Sequence, residues 1–75
     1  MSHLRVDWRS QDSSANSTLT AVTQVDGRHY WLWVWRAPAG PGWDWSVGDN
    51  LSTIGSGQEA TAAEAQRTAE RFVAP

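Results

Sequence analysis

His3 and His29 are the two side chains in this chain that could carry a proton near neutral pH, and neither keeps the company that catalysis needs. Nucleophilic or general acid–base chemistry requires a hydroxyl or thiol beside a base, with the base oriented by a third group. No Ser–His–Asp order and no glycine-framed serine accompanies either histidine, and the chain contains no cysteine. Gly55-Ser-Gly57 has neither the strand-to-helix setting nor the lysine of a phosphate loop. Asp44, between Trp43 and Trp45, points away from both, so no pair of carboxylates is set up for acid–base work. Two isolated histidines and scattered acids do not reach the ligand number and spacing of a metal centre. The sequence therefore reads as a non-enzyme that uses no cofactor and no metal.

What remains capable of specific chemistry is aromatic. The chain has six tryptophans. Three of them, Trp31, Trp33 and Trp35, alternate in the run His29-Tyr-Trp-Leu-Trp-Val-Trp-Arg36, which puts them on one face of a strand. Trp43 and Trp45 repeat the spacing downstream. An indole either fills a core or stacks on a sugar or a base. Trp31, Trp33 and Trp45 sit centrally and read as core. Trp8 and Trp43 lie nearer to an edge or loop and are the candidates for stacking on a ligand.

The elements that would position these residues follow from pattern. Leu4-Arg-Val-Asp-Trp8 alternates apolar and polar residues as a short strand does, and the polar run 10–17 reads as a loop. Thr18 to Val25 is rich in β-branched residues and predicts a strand. Asp26-Gly27 is the signal of a two-residue type I′ hairpin turn, and it fixes a register in which paired residue numbers sum to 53. Val22 then faces Trp31, Thr20 faces Trp33 and Thr18 faces Trp35. The proline- and glycine-rich stretch 37–42 is a connection. Trp43-Asp-Trp-Ser-Val47 alternates again, and folding it back on the central strand is expected to put Trp43 opposite Trp35, Trp45 opposite Trp33 and Val47 opposite Trp31. Leu51-Ser-Thr-Ile54 reads as a further strand, with Ile54 on the tryptophan face and Gly55-Ser-Gly57 interrupting it. A helix is expected over about 61–73. Thr61-x-x-Glu64 is a capping box ahead of an alanine-rich run, with Ser56-x-x-Glu59 as a competing start. Ala62, Ala65, Ala69, Phe72 and Val73 share one face of that helix.

These elements predict one domain over 1–75 in the α+β class: an antiparallel β-meander of three to five strands with one C-terminal helix packed on one face. Small alanines suit bulky indoles, so the helix is expected to lie over the tryptophan face. The other face would then display Arg28, Tyr30, Leu32, Val34 and Arg36 in a row, with Leu19 beside them. Apolar residues on an open face mark an interaction surface. A partner protein, a second copy of the chain or the N-terminal segment could each cover it.

Charge and composition narrow the partner class. The formal net charge is -2, which gives little electrostatic pull on nucleic acid. Every Lys/Arg position is arginine, and alanine and glycine are abundant, a usage typical of GC-rich bacterial genomes and their phages. No apolar run is long enough to span a bilayer, and no signal-peptide pattern opens the chain, so a cytoplasmic setting is expected.

Trp43-Asp-Trp-Ser-Val47 and the helix opening Gly57-Gln-Glu-Ala-Thr-Ala-Ala-Glu-Ala65 carry a resemblance, over under a third of the chain. A tryptophan-bearing sheet followed by one helix resembles the arm-type DNA-binding domain of tyrosine-family integrases, and the ethylene-response type of plant domain. The resemblance implies a sheet face that enters the major groove, with Arg28, Tyr30 and Arg36 as readers. The chain departs from those domains in being acidic and lysine-free, which removes most phosphate neutralisation. The same pattern resembles small uncharacterised phage and actinobacterial sheet-plus-helix proteins. The expected function is a small interaction module that binds through its exposed sheet face, with homodimerisation, DNA binding and carbohydrate or small-ligand binding as further readings.

Overall fold

The computed structural model describes residues 6–13, 16–38 and 40–74. Five strands, β1 (Arg9–Ser13), β2 (Asn16–Val25), β3 (Arg28–Arg36), β4 (Trp43–Gly48) and β5 (Thr53–Glu59), are followed by one helix, α1 (Ala62–Val73). The strands form one antiparallel sheet in the order β1-β2-β3-β4-β5. The helix packs across β3, β4 and β5. This is the expected α+β meander with a C-terminal helix on one face.

The hairpin between β2 and β3 has the expected register, from Val25 opposite Arg28 to Thr18 opposite Trp35. Asp26 and Gly27 both take positive φ, 52° and 80°. That pair of values is what a type I′ turn demands and what Asp-Gly supplies.

The next pairing differs from expectation by one residue. Trp35 lies opposite Asp44, Trp33 opposite Ser46 and Trp31 opposite Gly48, while Val34 faces Trp45 and Leu32 faces Val47. The connection sets this register: Ala37 N–H donates to the Gly42 carbonyl at 2.9 Å, and the ladder continues from that closing bond. A slip of one residue moves every side chain of a strand to the opposite face. Trp43, Trp45 and Val47 therefore leave the side of Trp31, Trp33 and Trp35 and join Leu32 and Val34.

That slip decides where the helix goes. One face now gathers Leu19, Ala21, Tyr30, Leu32, Val34, Trp43, Trp45 and Val47. The other intersperses its three indoles with Thr18, Thr20, Asp44 and Ser46, whose polar groups are costly to bury. The helix covers the first face. Leu32, Val34, Val47, Ala65 and Ala69 are all fully buried, with Trp45, Ala21 and Val73 nearly so. Each buried valine or leucine contributes about 1.5–3 kcal/mol. The expectation that the helix lies on Trp31, Trp33 and Trp35 is overturned, and with it the expectation that Leu19, Tyr30, Leu32 and Val34 stand on an open face.

Three boundaries are corrected. Within the polar stretch expected to be a loop, residues 10–13 belong to β1 and residues 16–17 to β2, with Ser13 opposite Asn16. An edge strand is held by backbone bonds and needs no apolar alternation. Residues 6–8 are not strand, although Val6 and Trp8 pack on the core; residues 4 and 5 of the expected first strand lie outside the described residues. Strand β5 starts later than Leu51 and runs through Gly55 and Gly57, which excludes Ser56 as a helix cap. The helix begins where Thr61 predicts. Thr61 Oγ1 accepts the Glu64 N–H at 3.1 Å, and the Thr61 hydroxyl lies 3.3 Å from Glu64 Oε1.

Candidate interaction face

The side of the sheet away from α1 carries the tryptophan row. Strand β3 is central among the five, so Trp31, Trp33 and Trp35 form a ridge along the middle of that face, with neighbouring indoles about 7 Å apart along the strand. Trp33 remains 37 % exposed and Val22, opposite Trp31, 54 % exposed. Trp31 and Trp35 are half-buried. Ile54, alternating with the helix-facing Gly55, falls on this side as expected and is also exposed. The Trp33 ring leans toward β4, where a Cβ on Gly48 would lie 3.6 Å from its Cζ3. Val22, Trp31, Trp33 and Ile54 thus make an apolar band across the sheet. Thr18 and Thr20 on β2, and Asp44, Ser46, Ser56 and Gln58 on β4 and β5, edge it with polar groups.

The indoles on the helix side are engaged. Trp45 is buried, as expected, with Nε1 donating to Glu59 Oε2 at 3.3 Å and its ring tilted 52° against Phe72 at a centroid distance of 5.8 Å. Trp8 Nε1 donates to Glu70 Oε2 at 2.7 Å, which pins the N-terminal segment to the helix. Trp43 is half-buried against the core. Trp8 and Trp43, the sequence-based stacking candidates, are thus partly buried against the core, and Trp33 is the most exposed of the indoles.

The expected docking set divides. Leu32 and Val34 are core with no exposed surface, and Leu19 and Tyr30 pack against that core. Arg28 and Arg36 stay exposed at the two ends of β3 but alternate with the tryptophans toward the helix side. The DNA-reading set Arg28, Tyr30 and Arg36 is consequently not displayed on the open face. The signal that marks the helix-free face was present in the sequence, since Thr18, Thr20, Asp44 and Ser46 share it, but its use required the β3–β4 register.

At one end of the sheet, Gly27, Arg28 and His29 line a shallow depression with Asp49, Asn50 and Leu51. Asp49 Oδ1 accepts the backbone N–H groups of Leu51 at 2.8 Å and Ser52 at 3.0 Å. Those two bonds, Leu51 first, hold its carboxyl below the ordinary aspartate value, with Arg28 a lesser cause. The carboxylate builds the turn between β4 and β5. Among the described residues no three of His, Asp or Glu converge as metal ligands would, and no helix is long and apolar enough to cross a membrane.

No family model, curated protein or solved structure matches this chain.

Proposed function

We propose that this chain is a small, non-enzymatic protein-interaction module of the cytoplasm, binding through the helix-free face of its sheet. Trp33 and Val22 lie at the centre of the contact, with Trp31, Trp35 and Ile54 around them. The observation that carries this reading is the concentration of exposed apolar side chains on one side of the sheet: Val22, Trp33 and Ile54 all belong to it. Contiguous exposed apolar surface with a polar rim is typical of protein-binding sites, and tryptophan is prominent among residues that dominate their affinity. Nucleic acid is the poorer partner. On that side Arg9 is accompanied by the carboxylates of Asp7 and Asp44, and the chain as a whole is acidic, so few counterions would be released from phosphate. A row of indoles also offers stacking platforms to a sugar chain, and the test below separates that reading.

The test is a selection of displayed protein fragments against the wild-type chain, counter-screened on the Val22→Arg, Trp33→Arg double variant. Binders that lose affinity on the double variant are expected. Oligothymidylate at low salt and a neutral oligosaccharide are titrated alongside, with no binding expected. Binders indifferent to both substitutions overturn the reading, as does tight oligothymidylate or sugar binding that the double variant abolishes.

A further inference from the structure

We infer that the free edge of β5 is a strand-addition site, and that its occupant is an extended segment of another protein, paired antiparallel with Ser56 and Gln58 and bearing aromatic side chains at alternate positions. The site lies apart from the helix-free face and stands or falls separately from the reading above.

Backbone direction is the first argument. Opposed residues of an antiparallel ladder alternate between pairs that exchange both hydrogen bonds and pairs that exchange none. The Ala37 N–H donates to the Gly42 carbonyl. The alternation along β4 therefore turns the backbone groups of Asp44 and Ser46 toward β3, and those of Trp43, Trp45 and Val47 toward β5. Glu59, Gly57 and Gly55 lie opposite those three and bond inward. Ser56 and Gln58 point their N–H and C=O groups out of the sheet, where β5 is the last strand. The helix lies over the sheet face and reaches inward to β3 and β4. Among the described residues no strand pairs with the outer edge of β5. A row of outward donors and acceptors at strand spacing is a template for another extended chain.

Lack of protection is the second. Sheet edges are ordinarily blunted by charge, proline, a bulge or short length. At the other edge, β1 has five residues and the exposed Arg9. Strand β5 has seven, and from Thr53 to Gln58 it includes neither a charged residue nor a proline. The register shift beside Gly48 disturbs pairing near Ile54, which leaves 55–59 as the regular edge.

The glycines select the occupant. With Ser56 and Gln58 as the bonded positions, the residues of an added antiparallel strand that lie opposite Gly55 and Gly57 form the non-bonded pairs, in which side chains come closest. Their side chains would point to the helix side, because opposed residues share a face. Neither glycine has a side chain to meet them. Instead Phe72 stands over Gly55 and Trp45 over Gly57, and Phe72, in the last turn of the helix, is left 47 % exposed. An aromatic side chain opposite a glycine, laid against the open side of Phe72, fills that margin, a pairing that compensates edge glycines. A second copy is the poorer occupant. Two β5 strands centred on Ser56 set Gly55 against Gly57 and bring no strand side chain to Phe72.

Amide exchange of the full chain by NMR tests the inference, with two synthetic peptides as probes: Lys-Thr-Tyr-Thr-Tyr-Thr-Lys with blocked ends, and the same peptide with glycine in place of tyrosine. In the free chain the Ser56 and Gln58 amides are expected to exchange faster than those of Gly55, Gly57 and Glu59. At millimolar concentration the tyrosine peptide slows exchange at Ser56 and Gln58. The glycine peptide binds about 2–30-fold more weakly, the range that two cross-strand pairs supply. Ser56→Pro removes one outward N–H, and Gly55 before it accepts the restriction that proline imposes. This variant keeps the wild-type circular dichroism spectrum and loses the peptide; Gln58→Pro, preceded by Gly57, is its duplicate. The Val22→Arg, Trp33→Arg double variant binds the peptide as the wild type does, so failure of this site and failure of the helix-free face are distinguishable. No binding at millimolar concentration, binding that survives both proline variants, or equal affinity for the two peptides overturns the inference. Protection of Ser56 and Gln58 that grows with the concentration of the chain alone overturns the assigned occupant and puts a second copy in its place.

Discussion

At the residue scale, the two glycines of β5 show how a feature that looks like an interruption can be a packing device. Gly55-Ser-Gly57 has the composition of a break, yet both glycines lie in a strand on the helix side, beneath aromatic rings. A Cβ on Gly57 would stand 2.8 Å from Trp45 Nε1 and 2.9 Å from Cε2. A Cβ on Gly55 would stand 2.5 Å from Phe72 Cζ. The rings differ in their freedom to move. Trp45 is buried and bonded to Glu59, while Phe72 is half-exposed on the helix surface and can swing outward. Gly57→Ala is therefore expected to cost about 2–3 kcal/mol, near the upper end of overpacking penalties. Gly55→Ala is expected to cost about 1 kcal/mol, because the obstructing ring yields. Urea unfolding of both variants measures the order, and an equal loss would mean that Trp45 is as free to shift as Phe72. The glycines themselves were legible in the sequence; what they accommodate was not, because the rings come from β4 and α1.

At the scale of elements, local signals and long-range ones behaved differently. The β2–β3 hairpin was readable from Asp26-Gly27, since a two-residue turn dictates both backbone sign and register. The helix start was readable from Thr61 and Glu64, since capping depends on three consecutive residues of spacing. Thr61→Ala should remove the bond to the Glu64 N–H and cost about 1 kcal/mol, seen as a lower urea midpoint with unchanged slope; Thr61→Ser should retain most of it. The β3–β4 register was not readable in the same way. Six residues, Ala37 to Gly42, connect the strands, and neither their length nor their prolines say which carbonyl closes the ladder. Strand β1 was missed for a different reason: its residues are polar at an edge, where backbone pairing suffices and no hydrophobic alternation betrays it.

For the whole molecule the question is which side of the sheet is inside, and a matched pair of substitutions answers it. Val34 on β3 is fully buried beneath the helix, and Val22 on β2 is 54 % exposed on the opposite face. Valine and threonine have nearly the same shape, a hydroxyl replacing one methyl. Val34→Thr should cost about 1–3 kcal/mol, because the hydroxyl enters an apolar core. Val22→Thr should stay within about 0.5 kcal/mol, as surface changes do. Denaturation midpoints in the reverse order would return the helix to the tryptophan side. The sequence by itself determined strands β2, β3 and β4, the turn at Asp26-Gly27, the capped helix and the α+β class, because each of these depends on residues close together along the chain. The tertiary structure alone decided the inside and the outside. That outcome hangs on a one-residue choice in how β4 pairs with β3, made where Ala37 N–H meets the Gly42 carbonyl. The choice carries Trp45 and Val47 to the side of Leu32 and Val34, makes that side the more apolar one, draws the helix to it, and leaves Trp31, Trp33 and Trp35 facing outward.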